Sequence, residues 1–424
     1  MDLTLLDATE LAEGIREGRF TSEAVTLALI EKQQELPHLN AVAFEGHAQA
    51  LQVARQRDHE RAQGTLLGPL HGVPLTVKDW IDVQGLPCAG NMPEHLHRMP
   101  SEDASSVRRL KEAGAVVLAK TTVTSDSPVY GRTHHPLNPE YSPTGSSSGE
   151  AVLVAAHASP LGLGSDSGGS IRQPAHVCGV YGLKPTSGRV PLTGHFPPIA
   201  GLIDSRTVIG PIARSLRDIE LTFRILSGPD GLDHTAPPVP LVAGPEKPLE
   251  KLKVRWYSHH PEHVLHPEIE QALLDAVQKL EKQGVQIEQC RPPLLEQVMP
   301  ITQQYWQTAE SRSADLWDPW ESTPLTGDQL GALYFQWDHF RRTWLRWMKD
   351  ADLILCPVSD LPAQPHDVPS GSVAYTATYS LLGWPALSVP GGFTKEGFPV
   401  GLQVVGKPWR EDQVFQLTRA LIQP

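Results

Sequence analysis

Residues Pro143–Thr186 read "PTGSSSGEAVLVAAHASPLGLGSDSGGSIRQPAHVCGVYGLKPT", two clumps of serine and glycine around a run of small apolar residues. By itself "GSSSG" has the composition of a linker, because glycine and serine do not build a core. The context argues against a linker. "AVLVAAHASPLGL" follows at once and has to be buried, so both clumps belong to one packed element, as tight turns at its ends. Gly168 and Gly169 ahead of Ser170 permit backbone conformations closed to other residues. Successive N–H groups can then converge on one concavity, a nest suited to an oxyanion or a phosphate.

Outward from this stretch the pattern is α/β. "HGVPLTVKDW", "GAVVLAK" and "HASPLGLGS" are short apolar runs divided by glycine and proline, and "DASSVRRLKEAG" reads as a helix between two of them. Upstream, Asp7 to Glu10 forms a capping-box pattern ahead of "LAEGIREG", and "TSEAVTLALIEKQQEL" continues at helical spacing. Downstream, a Pro/Gly-rich stretch from Ser227 to Pro248 reads as a surface connection between the core and an insertion. "KLKVRWY" is then a strand, and "HPEIEQALLDAVQKLEKQG" a helix with Pro267 at its start. "DLILCP", "PALSVPGGF" and "GLQVVG" return to strands, so the sheet is assembled from both ends of the chain.

With 424 residues the chain can bury a large core, and 40% hydrophobic with 20% charged residues is a globular composition. The net charge of −12 comes without a local basic patch, which excludes a nucleic-acid surface. Cys88, Cys178, Cys290 and Cys356 are far apart, fit no zinc or disulfide framework, and suit a reducing compartment. No export signal and no run of eighteen apolar residues is seen, so a cytoplasmic protein with no membrane partner is expected.

Three chemistries compete for the two turns. A Walker loop fails because "GLKPT" places Leu183 between Gly182 and Lys184. Gly145 to Gly149 matches the G-x-S-x-G elbow with Ser147 central, but an elbow needs a strand directly before it and "HHPLNPEYSPT" is none. The third is a serine activated by lysine, for which Lys78 at the end of the apolar run "VPLTV" is the candidate base. Asp79 opposes the deprotonation of Lys78 if its carboxylate faces that way.

"GPLHGVPLTVKD", "SPTGSSSGEA" and "GLGSDSGGSIRQPAHVCGVYGLKPTSGRV" together closely resemble the amidase signature family. The ordered likeness runs from about Gly68 to Leu226 and resumes in "PALSVPGGFTKEGFPVGLQVVG". The resemblance implies a single domain over residues 1–424 built on a large, mixed, mostly parallel twisted sheet with helices on both faces. Within it, 1–65 would be an N-terminal helical segment, 66–226 the catalytic core, 227–348 a variable insertion with helices, and 349–424 the return to the sheet. It implies hydrolysis of the C–N bond of a small or medium carboxamide by a Ser-cisSer-Lys triad through an acyl-enzyme, with no metal and no cofactor. Carried over by position, Lys78 is the base, Ser146 the cis-serine and Ser170 the nucleophile. The N–H groups of Ser167, Gly168, Gly169 and Ser170 are oxyanion donors, and Asp166 and Arg172 support the turn. The family's Gly-Gly-Ser-Ser-Gly-Gly stands here as Thr144-Gly145-Ser146-Ser147-Ser148-Gly149. The partner implied is a small-molecule amide, with a homodimer left open. Two alternatives are the glutaminase component of a tRNA-dependent amidotransferase and a catalytically silent binding protein.

Other groups have blander readings. His259, His260, His263 and His266 lack a fitting carboxylate or cysteine pattern and read as a solvated loop, not a metal site. Trp306, Trp317, Trp320, Trp337, Trp344 and Trp347 crowd one region, and Trp337, Phe340, Trp344 and Trp347 share a helical face. That face reads as core, with a substrate pocket as the alternative. Cys178, in an apolar stretch with no partner base, reads as an inert buried thiol.

Overall fold

Strand formation follows the alternation of side chains that a pleated backbone sends to opposite faces. In Leu353–Pro357, for instance, Leu353 and Leu355 join the apolar cluster on one side of the sheet, and Ile354 and Cys356 join that on the other. The computed structural model describes residues 1–199, 204–242, 245–306 and 325–423. Its strands are β1 (Val42–Glu45), β2 (Pro74–Lys78), β3 (Val116–Thr121), β4 (Asp126–Ser127), β5 (Gly131–Arg132), β6 (Leu161–Asp166) and β7 (Tyr181–Lys184). They continue as β8 (Val208–Ala213), β9 (Lys253–Trp256), β10 (Gln286–Gln289), β11 (Leu353–Pro357), β12 (Ala386–Phe393) and β13 (Pro399–Gly406). Eleven of them form one sheet in the order β1-β3-β2-β6-β8-β7-β12-β13-β11-β9-β10, and β4 and β5 pair separately.

Helices cover both faces. Ala8–Glu17, Ser22–Gln34, Ser105–Glu112, Leu216–Leu226, Pro267–Lys282 and Glu411–Ile422 bury their apolar residues in one cluster. Ser148–Ala155, Arg172–Cys178, Gly327–Trp347 and Ala374–Leu382 bury theirs on the opposite side. The capping box is present, with Asp7 bonded to the Glu10 N–H and Glu10 to the Asp7 N–H, and Pro267 occupies the first turn of its helix. Among the described residues no helix is long and apolar enough to cross a membrane.

The sheet is mixed, but parallel pairing is not its majority pattern. Four neighbouring pairs are parallel (β2–β3, β2–β6, β9–β11, β9–β10) and six are antiparallel. The helix Arg172–Cys178 connects β6 to β7, which are not neighbours in the sheet. β8 inserts between them, antiparallel to both. The short turn between β12 and β13 adds a hairpin, which runs antiparallel by construction. Strands β9 and β10, beyond the Pro/Gly-rich stretch, extend this same sheet at its far edge.

Candidate active site

β2 and β6 are parallel neighbours, with Thr76 opposite Gly162 and Val77 opposite Leu163, so their carboxyl ends lie together. Ligand sites in parallel α/β sheets form outside such ends. Lys78 closes β2 and Asp166 closes β6; the two Ser/Gly turns follow above them. The backbone N–H of Ser147 donates to the Ser170 carbonyl at 3.0 Å, which locks one turn onto the other.

Lys78 is fully buried. Its Nζ lies 2.7 Å from Ser146 Oγ, 3.1 Å from Ser147 Oγ and 3.3 Å from the Ser165 carbonyl, and the Trp80 ring centre is 4.2 Å away. Burial drives the lysine well below its ordinary proton affinity, against the pull of Asp166 and Glu150. The Gly145–Ser146 peptide is cis. Ser147 cannot be the exposed nucleophile of an elbow: it is fully buried, and its hydroxyl lies 3.2 Å from the Ser165 carbonyl. Ser170 is half-buried at the end of its turn.

Asp166 and Arg172 hold that turn from beneath. Both are fully buried and form a bidentate pair at 2.9 and 3.0 Å. Arg172 also donates to the Thr376 carbonyl (2.9 Å), Gln403 Oε1 (3.2 Å) and Ser380 Oγ (2.9 Å), which fastens the turn to the C-terminal part of the chain. Burial favours protonated Asp166, but Arg172, Lys184 and the Ile171 N–H together hold the carboxyl below its usual range. The buried pair is therefore charged on both sides, and removing either member strands the other.

The expectation for Gly169 needs correction. Its N–H donates to Asp166 Oδ1 at 2.8 Å, so this donor is committed within the turn. The N–H groups of Ser167, Gly168 and Ser170 have no acceptor among the described residues. What Gly169 supplies is conformation. Its φ is +138°, and a Cβ there would meet Thr376 Oγ1 at 2.3 Å.

Several neighbours left no signal in the sequence. Thr207 Oγ1 lies 2.7 Å from Ser167 Oγ, and Thr376 Oγ1 donates to the Gly168 carbonyl at 2.7 Å. His195 Nδ1 donates to the Pro197 carbonyl (2.8 Å), which leaves Nε2 to accept from Ser165 Oγ (3.2 Å). Burial pushes that imidazole down to about 4, so it is neutral at pH 7. Glu150 is buried beside Lys78's strand and accepts from Thr76 (2.6 Å) and Thr121 (2.9 Å).

The remaining expectations divide. Trp337, Phe340 and Trp344 are core residues, while Trp306 reaches the Gly168 turn; Trp317 and Trp320 lie outside the described residues. The histidine segment is not simply a solvated loop, because His260 is buried against Tyr375, with ring centres 5.5 Å apart. Among the described residues no three His, Cys, Asp or Glu side chains cluster as a metal site requires. Cys178 is buried, and burial pushes its thiol pKa upward.

The family model "Amidase" matches residues 24–338 and 328–415. The chain is 31% identical over 456 residues to an acylamidase of Rhodococcus erythropolis, covering 98% of this chain and 94% of the relative. It is 30% identical over 453 residues to an indoleacetamide hydrolase of Bradyrhizobium diazoefficiens, covering 98% of this chain and 85% of the relative. A glutamyl-tRNA(Gln) amidotransferase component of Moorella thermoacetica is 31% identical over 481 residues, covering 100% of this chain and 97% of the relative. A solved fatty acid amide hydrolase superposes with a TM-score of 0.88 at 25% identity, covering 99% of this chain and 86% of that one.

Proposed function

Because the chain belongs to the amidase family, we propose that it hydrolyses the C–N bond of a small or medium carboxamide, with Ser170 as nucleophile, Ser146 as proton shuttle and Lys78 as base. The observation that carries this reading is the 2.7 Å contact between a fully buried lysine amine and the hydroxyl of Ser146. A neutral amine there accepts the Ser146 proton while Ser146 Oγ takes the proton of Ser170. Ser170 Oγ then bonds to the carbonyl carbon, and the carbonyl π electrons move to oxygen. The N–H groups of Ser167, Gly168 and Ser170 are the donors open to that oxyanion. Each such donor contributes on the order of 3 kcal/mol in comparable sites. As the tetrahedral species collapses, Ser146 delivers a proton to the leaving nitrogen and is reprotonated from Lys78. Water then attacks the acyl-Ser170 ester by the same relay, and the acid and the original enzyme result. Asp166 and Arg172 act as positioning residues for the turn.

The test is Ser170→Ala with a panel of primary and secondary amides and a fluorophosphonate probe. Hydrolysis and labelling should both vanish while circular dichroism is unchanged. Turnover by the variant, or labelling that moves to Ser147, overturns the assignment.

The likeness to an amidotransferase component favours a second reading, in which the same chemistry releases ammonia from glutamine for partner chains. Glutamine hydrolysis together with co-purification of two partner chains would select it. The purified chain turning over simple amides alone selects the first.

A further inference from the structure

Two of the open N–H donors flank one peptide plane, that between Gly168 and Gly169. The Gly168 N–H comes just before the plane and the Ser170 N–H just after it, so its tilt aims both. Turning a peptide plane changes ψ of the residue before it and φ of the residue after it. Here both residues are glycine, which offers the least steric resistance to such a turn. Backbone sterics alone leave this plane loose.

Hydrogen bonds hold it at both ends. The Gly169 N–H donates to Asp166 Oδ1 at 2.8 Å, and the Gly168 carbonyl accepts from Thr376 Oγ1 at 2.7 Å. Thr376 is fully buried in the first turn of the helix Ala374–Leu382. Its hydroxyl also has the Val373 carbonyl at 3.0 Å, but that carbonyl already takes the Ala377 N–H at 2.7 Å. Gln173 Nε2 donates to the same hydroxyl oxygen at 3.4 Å, which leaves the hydroxyl proton for Gly168. No other described residue donates to the Gly168 carbonyl.

The bonds close into a ring through Arg172. Asp166 Oδ1, which takes the Gly169 N–H, also takes Arg172 Nη2, and Arg172 Nη1 donates to the Thr376 carbonyl, each at 2.9 Å. Thr376 therefore enters the ring twice, by backbone and by side chain. Substitution removes only the side-chain bond and leaves Asp166 and Arg172 in place.

We infer that Thr376 is a positioning residue for the oxyanion donors: its hydroxyl fixes the Gly168–Gly169 plane and so keeps the Gly168 and Ser170 N–H groups aimed at the oxygen of the tetrahedral species. The inference rests on the Ser170 reaction proposed above and adds a residue from a distant part of the chain to it. A substrate carbonyl carries little charge before attack, so lost aim shows in turnover and not in substrate binding. Acylation and deacylation both pass through an oxyanion, and kcat falls whichever of them limits.

Thr376→Ser keeps the hydroxyl and Thr376→Ala removes it, so these two variants differ in that group alone. Hexanamide hydrolysis is measured in both and in the parent, together with inhibition by hexanal. Ser170 Oγ adds to the hexanal carbonyl and passes its proton to Ser146, which leaves a tetrahedral oxyanion among the same donors. Removing an oxyanion donor outright costs about a hundredfold to a thousandfold, and misaiming should cost less, about thirtyfold. Thr376→Ala should lose that factor in kcat and in hexanal affinity, with KM for hexanamide within about twofold of the parent. Thr376→Ser should stay within about threefold in all three quantities. Thr376→Val, also without the hydroxyl, takes the place of Thr376→Ala if that variant does not fold. Equal losses in Thr376→Ser and Thr376→Ala, a loss confined to KM, or hexanal affinity unmoved in Thr376→Ala would overturn the inference. Hydrolysis that survives Ser170→Ala is a separate failure, that of the underlying reaction.

Discussion

Asp79 and Lys78 are adjacent in sequence and do not pair. The Asp79 carboxylate takes the Lys120 ammonium at 3.2 Å and the Ala89 and Gly90 N–H groups at 3.1 Å each, and it also accepts from the Tyr130 hydroxyl. Strand alternation explains this, since consecutive side chains at the end of β2 leave on opposite sides. The carboxylate that the sequence sets next to Lys78 serves a different lysine. Lys78 is left among two hydroxyls, a carbonyl and an indole.

A pH dependence follows. The folded state lowers the proton affinity of Lys78 because its ammonium is desolvated, with Asp166 and Glu150 opposing. Amide turnover should rise with pH along a limb whose midpoint lies below 10.5. Lys78→Ala should remove that limb and cost roughly a thousandfold on amides, and less on matched esters, whose leaving group needs no proton. The stability effect has its own sign. Between the folded value and 10.5 the unfolded chain carries the proton and the folded one does not, so this group makes stability rise with pH. The apolar isostere Lys78→Met should then be more stable than the parent at pH 7 and unfold at a higher temperature. Full amidase activity in Lys78→Ala, with its pH profile intact, would sink the assignment.

What the sequence made legible was local. The capping box at Asp7, the proline opening the helix at Pro267, and the strand alternation at β11 depend on neighbours within a few residues. The turn glycines and Lys78 stood out because chemistry restricts which residue types can occupy such places. What stayed hidden were contacts across the chain. Arg172 reaches Thr376, Ser380 and Gln403, and Thr207 reaches Ser167, through distances in sequence that no periodicity encodes. The commitment of the Gly169 N–H to Asp166 was equally invisible, because "DSGGS" does not say which way each amide points.

The two positions where the family's glycines are replaced meet one another. Thr144 sits at φ +58°, a region that costs a side-chain-bearing residue roughly 1–2 kcal/mol. The Ser148 hydroxyl donates to the Thr144 carbonyl and pins the turn. Ser148→Ala should cost about 1 kcal/mol and lower kcat, since Ser146 lies between the two. Thr144→Gly added to it should recover part of both losses, whereas alone it should change stability by less than about 1 kcal/mol. Urea midpoints and kcat for the four-membered cycle check this, and strictly additive effects would show that the two replacements are independent.

Glu150 has a carboxyl with no solvent contact, bonded by Thr76 and Thr121. Thr76 precedes Lys78 by two positions on the same face of β2, and Thr121 is the Cα partner of Lys78 on β3. Burial pushes the Glu150 pKa up from 4.5 to about 8, restrained by the two threonine bonds and by the charges of Lys78 and Lys120. A raised folded value means the folded state keeps a proton that the unfolded chain has lost. Stability from this group is therefore full below pH 4.5 and drains away as pH rises to about 8, after which the loss is constant. Glu150→Gln keeps the shape and lets its amide donate to the threonine oxygens without titrating. Its stability relative to the parent should climb between pH 4.5 and 8, by several kcal/mol in all at about 1.4 kcal/mol per unit, and then level off. Above about pH 8, where Glu150 is ionised, the same substitution removes a negative charge that favours protonated Lys78, so the part of the amide-turnover limb in that range should move to lower pH. Unfolding midpoints that run parallel from pH 5 to 9 would show that Glu150 does not titrate in this range, and a limb that stays in place or moves to higher pH would show that its charge does not favour protonated Lys78.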